Sequence, residues 1–129
     1  MRSPDDGQGL VVIAEEDITQ RREIVRYLQE NDFRVLEAAD ADEAMALLRS
    51  HPDVQAFVTD AHLPGKRDGY ELARVVRERW PAIAVVMMSG HSDASSGPVP
   101  EGAEFIAKPY LFEHLTHTLQ RMITRGASE

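Results

Sequence analysis

Five short, mostly apolar runs recur along this chain, at residues 10–14, 33–36, 54–59, 84–88 and 105–107. Each has the length of a strand. The first is continuous, as in a strand buried on both faces. Four segments with helical spacing of apolar residues follow most of these runs. They carry Ile18, Ile24, Val25 and Leu28; Ala44, Leu47 and Leu48; Leu72, Val75 and Val76; and Leu111, Leu115, Leu119 and Met122. Strands that alternate with helices predict an α/β chain with a parallel sheet, covered on both faces by right-handed crossovers.

Local signals mark the helix ends. Asp40 with Glu43 three residues on is close to a capping box, and the helix it opens ends near Ser50-His51-Pro52. The third helix runs over 69–79, where Trp80-Pro81 stops it. The last runs from 111 to about 124. One interval breaks the alternation. Residues 91–102 hold two prolines, two glycines and almost no apolar side chain, so a loop with one helical turn at most is expected there. Residues 1–9, rich in Gly, Asp, Ser and Pro, read as a disordered lead, 10–125 as one domain and 126–129 as a tail.

Composition narrows the function classes. The chain contains no cysteine, which excludes disulfides and thiolate metal sites. A formal charge of -8 argues against non-specific nucleic-acid binding. There is neither an apolar run long enough to span a bilayer nor a secretory signal, so a cytoplasmic location without membrane association is expected.

In a parallel sheet all strands end on one edge, where open α/β folds keep their sites. The runs here end at Glu15-Glu16-Asp17, at Asp60, at Ser89-Gly90 and at Lys108-Pro109. One edge therefore gathers four carboxylates, a hydroxyl and an ammonium. Clustered carboxylates suit a hard cation such as Mg²⁺, which binds one or two carboxylates plus phosphate oxygens and waters. Lys108 is a point charge for a phosphoryl oxygen, and Ser89 a hydrogen-bond donor to the same group. That company suits Asp60 as a nucleophile toward phosphorus, forming an aspartyl phosphate. Each piece alone is ordinary: acids after a strand favour a helix N-terminus, Ser-Gly makes turns, and Lys-Pro sits at surfaces. The four together, in order, at successive strand ends, point to a site. Asp60→Asn should fold normally, and the relief of carboxylate repulsion favours greater stability.

Those residues, with Leu63-Pro64-Gly65 and Asp68-Gly69, resemble the receiver domain of bacterial two-component response regulators over about residues 10–125. The resemblance is to the single-domain, CheY-like form. It implies a flavodoxin-like, doubly wound, parallel five-stranded sheet in the order 2-1-3-4-5. It implies a binding and signalling module rather than an enzyme in its own right, apart from its own phosphoryl transfer and possible autodephosphorylation. Asp60 would accept a phosphoryl group from a phosphohistidine on a sensor histidine kinase or histidine phosphotransferase. Mg²⁺ would be held by Glu15, Glu16, Asp60 and the His62 backbone carbonyl. Lys108 would contact phosphoryl oxygens, with Ser89 and Phe105 as switch residues. His62 and His91 are either candidate modulators of phosphoryl lifetime or solvent-facing loop residues, and Asp17 is a candidate modulator beside the metal site. Output would pass to a downstream protein target, from a monomer or weak dimer. Arg21, Arg22 and Arg26 on the first helix serve either phosphodonor docking or a solvated basic face.

Four departures stand out. Glu16 occupies a position that is normally Asp. Lys66 and Arg67 lengthen the loop after Pro64 by one residue. The fourth helix, between the fourth and fifth strands, is expected to be short or missing. Phe105 lacks the hydroxyl of the more usual tyrosine. Glu16 and the helix-poor interval favour a rival reading, a pseudo-receiver that binds partners without phosphorylation. A Mg²⁺-dependent phosphohydrolase ranks last, because His62 stands where such enzymes keep a second Asp.

Overall fold

A computed structural model describes residues 9–65, 68–90 and 99–127, with side chains to residue 124. The lead at 1–8, Lys66 and Arg67, His91 with the rest of 91–98, and residues 128–129 lie outside the described residues. The elements are β1 (Gly9–Ala14), α1 (Ile18–Glu30), β2 (Phe33–Ala38), α2 (Ala41–Ser50), β3 (Val54–Asp60), α3 (Gly69–Arg79), β4 (Ala84–Ser89), β5 (Glu104–Ala107) and α4 (Phe112–Ala127). All five strands are parallel, in the order β2-β1-β3-β4-β5. The parallel sheet is the one expected from the alternation, and its doubly wound order is the one the resemblance implies.

The sheet divides the core into two layers because successive side chains point to opposite faces. Val12, Phe57, Val85 and Met87 face α2 and α3, meeting Ala44, Leu48, Leu72 and Val76. Val11, Ile13, Val58, Val86 and Met88 face α1 and α4, meeting Leu28, Leu115 and Leu119. Every residue of β1 and β4 is buried, which is why both read as unbroken apolar runs. At the sheet's edge, β2 exposes Arg34 and Glu37.

Local chemistry sets the helix starts. Asp17, Asp40 and Asp68 each accept a backbone N–H three residues on, from Gln20, Glu43 and Glu71. The Glu43 side chain reaches back to the Ala39 N–H at 2.7 Å, one residue earlier than in a standard capping box.

Several packing expectations need correction. Ile18 is 56% exposed and Leu111 is 70% exposed. Both stand where a helix begins beyond the end of the sheet, so helical spacing alone does not bury them. Leu47, Val75 and Met122 are only partly buried, while Met45, Tyr70, Ala73 and Ile123 fill the core beside them. The last helix also begins one residue later, at Phe112, and runs to Ala127. The expected loss of a helix between β4 and β5 falls mainly on 91–98. In the described part, 99–103, the chain makes a turn closed by the Ala103 N–H to the Pro100 carbonyl.

Candidate functional site

The C-terminal edge of the sheet brings three strand ends onto one ammonium. Asp60 closes β3 and is 9% exposed. Its Oδ1 accepts the His62 backbone N–H at 2.9 Å. Its Oδ2 accepts from Lys108 Nζ at 2.8 Å. Glu15 follows β1 directly and is buried. Its backbone N–H pairs with the Ala38 carbonyl at 3.0 Å, extending the β1–β2 register by one residue. Its Oε2 accepts the Asp17 N–H at 3.1 Å, and its Oε1 accepts from Lys108 Nζ at 3.2 Å. Lys108 follows β5, and its N–H donates to the Ser89 carbonyl at 2.7 Å, so the end of β4 places the lysine.

The chain after Asp60 is held just as closely. The Ala61 N–H reaches the Met88 carbonyl at 2.8 Å, and the Gly69 N–H reaches the Ala61 carbonyl at 3.0 Å. A Cβ on Gly69 would overlap the Asp60 carbonyl oxygen. Only glycine lets the start of α3 pack directly behind the Asp60 backbone.

Around Asp60, Glu15 and Lys108 opens a pocket of about 580 Å³, also lined by Glu16, Asp17, Gln20, His62 and Gly90. Glu16 is exposed at its rim. Asp17 caps α1 through the Gln20 N–H at 3.0 Å while bordering the pocket. His62 is exposed, with its ring edge-on to Tyr70. Ser89 is fully buried at the end of β4. Phe105 is half-buried against the α2–α3 side of the core.

Two groups at the site are not evident from sequence. Gln20 Oε1 accepts from Lys108 Nζ at 3.0 Å across a separation of 88 residues. The only sequence signal was its place in the first turn of α1, three residues past Asp17. Arg21 is the second. Instead of facing solvent with Arg22 and Arg26, its side chain is 13% exposed. It donates to the Glu15 carbonyl at 3.0 Å and to Glu37 Oε1 at 2.9 Å, tying α1 to β1 and β2. Arg26 instead pairs along its own helix with Glu30.

Charge divides the two carboxylates. Burial raises the Glu15 pKa, and the nearby Asp60 adds to the rise against the opposing Asp17 N–H and Lys108. Burial would raise Asp60 too, but the hydrogen bonds from Lys108 and the His62 N–H outweigh it and hold Asp60 below its ordinary value. Burial pulls Lys108 down, and its contacts with Asp60 and Glu15 carry it above its ordinary value instead. The result is an ionised Asp60 beside a firmly charged ammonium. Tyr110, close by, is pushed up to about 12 by burial and by the Glu15 and Asp60 charges.

Among the described residues no group of three His, Cys, Asp or Glu side chains forms a ready metal site. The donor set nevertheless suits Mg²⁺, which takes one or two carboxylates and completes its shell with water and phosphate oxygens. Glu16 and Asp60 line one pocket roomy enough for those waters.

The sequence matches the family described as "Response regulator receiver domain" over residues 11–120. It is 34% identical over 122 residues to the hydrogenase transcriptional regulatory protein HoxA of Cupriavidus necator, covering 92% of this chain and 25% of that protein. It is 30% identical over 123 residues to the sensor kinase CckA of Brucella abortus, covering 92% of this chain and 13% of the kinase. The chain thus spans a quarter or less of the length of these relatives. A receiver-domain crystal structure from Clostridium thermocellum shares the fold at a TM-score of 0.85, with 23% identity, covering 92% of this chain and 97% of that one.

Proposed function

The chain belongs to the response regulator receiver domain family, and from that premise we propose that Asp60 is its phosphoacceptor in a two-component phosphorelay. One observation carries the reading: the buried Asp60 carboxylate is oriented by Lys108 Nζ at 2.8 Å and the His62 N–H at 2.9 Å, and it faces a pocket. An Asp60 oxygen attacks phosphorus, and the bond from phosphorus to the donor's histidine nitrogen breaks. The phosphoryl group moves to the carboxylate, and the imidazole leaves with the electron pair of that bond. Lys108 offsets charge on the transferring group. Phosphoryl transfer needs positioning and charge compensation more than covalent chemistry from the protein, and this edge supplies both.

Receiver domains of this family use Mg²⁺, and here Glu15, Glu16, Asp60 and the His62 carbonyl would hold it. The ion would add positive charge beside the phosphoryl oxygens. Ser89 at the end of β4 and Phe105 on β5 are the proposed switch pair, His62 and His91 the proposed modulators of lifetime, and Asp17 a proposed modulator beside the metal site. The donor is proposed to be a sensor histidine kinase or a histidine phosphotransferase, and the output a downstream protein. Among the described residues no helix is long and apolar enough to cross a membrane.

Incubation with Mg²⁺ and acetyl phosphate, followed by intact mass, tests the assignment. Acetate leaves as Asp60 takes the phosphoryl group, so a single phosphoryl adduct is expected on the wild type and none on Asp60→Asn. A wild type that stays unmodified at every Mg²⁺ concentration would sink the reading and restore the pseudo-receiver. An adduct that survives in Asp60→Asn would move the site elsewhere.

A further inference from the structure

Lys108 has no hydrogen left to offer. An ammonium carries three donors, and Nζ meets three acceptors: Asp60 Oδ2 at 2.8 Å, Gln20 Oε1 at 3.0 Å and Glu15 Oε1 at 3.2 Å. A phosphoryl oxygen that is to be bound by Lys108 must displace one of them.

The three are not equal. Asp60 is still an anion while the negatively charged donor approaches, so giving up that contact would leave the two anions facing each other without the lysine's charge between them. Glu15 has a side chain only 5% exposed. Releasing it would strand a buried carboxylate, a costly loss. Gln20 is neutral, and its bond to the ammonium is weaker than a carboxylate's. It lies on the exposed first turn of α1, where water replaces the lost partner. It also borders a second, more apolar groove with Ile24, Tyr110 and Phe112, so its contact draws Lys108 to the boundary between the two spaces.

We infer that Gln20 is a brake on Lys108: a positioning residue that occupies the donor a phosphoryl group needs and must let go before transfer. This rests on Asp60 being the phosphoacceptor. It goes further by naming a residue on α1 that sets how readily that site is loaded.

The test compares Gln20→Met with Gln20→Glu. Methionine keeps the length and the helix but cannot compete for the ammonium. Glutamate competes harder and adds charge against the donor. With acetyl phosphate at saturating Mg²⁺, the phosphorylation rate should rise about threefold in Gln20→Met, the worth of one modest hydrogen bond. It should fall by about as much or more in Gln20→Glu. In metal-free, donor-free protein, the Lys108 ammonium protons should exchange with water faster in Gln20→Met and slower in Gln20→Glu. A merely structural Gln20 would move both variants the same way. Equal rates in wild type and Gln20→Met, or a slower Gln20→Met, overturn the inference while Asp60 stands. A wild type that forms no adduct overturns the Asp60 reading and this inference with it.

Discussion

At the scale of single residues, the site is a contest for one ammonium between two carboxylates in unequal surroundings. Each accepts one backbone N–H, but Asp60 meets Lys108 at 2.8 Å and Glu15 at 3.2 Å, so the more buried Glu15 has the weaker share of the cation. The signs follow by linkage. The lowered Asp60 pKa contributes stability that is present above the ordinary carboxylate value and lost as pH falls through its folded value. The raised Glu15 pKa contributes stability that is fully present below the ordinary value and lost as pH rises through its folded value. Carboxyl-resolved NMR titration should therefore show Glu15 releasing its proton after Asp60 as pH rises. In Lys108→Met both carboxylates should titrate higher and the gap between them should narrow, because Asp60 loses the closer contact with the cation. An Asp60 that titrates no higher in Lys108→Met than in wild type would contradict this account. The same pull weakens the expectation that Asp60→Asn stabilises the chain. Relief of repulsion with Glu15 is offset by loss of the Lys108 ion pair, of which Asp60 is the nearer partner.

At the scale of elements, the β3–α3 connection holds Asp60 in place by its backbone. The turn begins with Ala61 bonded to β4 and ends with Gly69 against the Asp60 carbonyl. Gly69→Ala should cost about 2 kcal/mol or more, since the methyl group has only backbone to push against. Thermal unfolding measures that loss, and a melting temperature equal to wild type would show that the turn can open without penalty. Arg21 plays a related part for Glu15, gripping its carbonyl from α1 while bound to Glu37 on β2. The docking expectation for the first helix thus applies to Arg22 and Arg26, whose side chains are 66% and 84% exposed, and not to Arg21.

At the scale of the whole molecule, two core layers back one edge. β1, β3 and β4 lie inside the sheet and are packed on both faces, whereas β2 and β5 are its outer strands. Backbone amides of the inner strands should open only in near-global unfolding, while β2 and β5 exchange through smaller openings. Native-state hydrogen exchange checks the ranking. Faster exchange in β3 than in β2 would mean that the strand bearing Asp60 is not anchored by the double-sided core. The arrangement is suited to a site that must stay fixed, because Asp60 hangs from the central strand of the sheet, and Lys108, which follows the outer strand β5, is tied back to β4 through the Ser89 carbonyl.

The strand order came from the family resemblance, while local patterns were enough for a parallel α/β sheet, for the Asp40 cap and for the bounds of α3. Those depend on spacing, capping oxygens and proline, all of which act over a few residues. The candidate carboxylates and Lys108 were also legible, since parallel strands must end on one side. What the sequence could not determine is who touches whom. Ile18 and Leu111 fit a helical stripe but fall beyond the sheet that would cover them. Arg21 looks like its neighbours until β2 places Glu37 beside it. Gln20 meets Lys108 only because β1 and β5 deliver α1 and the chain after β5 to the same edge. Sequence periodicity decided which elements form and which way they run, because those choices are settled within one turn or one strand. Tertiary structure alone decided how the three hydrogens of Lys108 are shared, because that depends on distances between residues the chain keeps far apart.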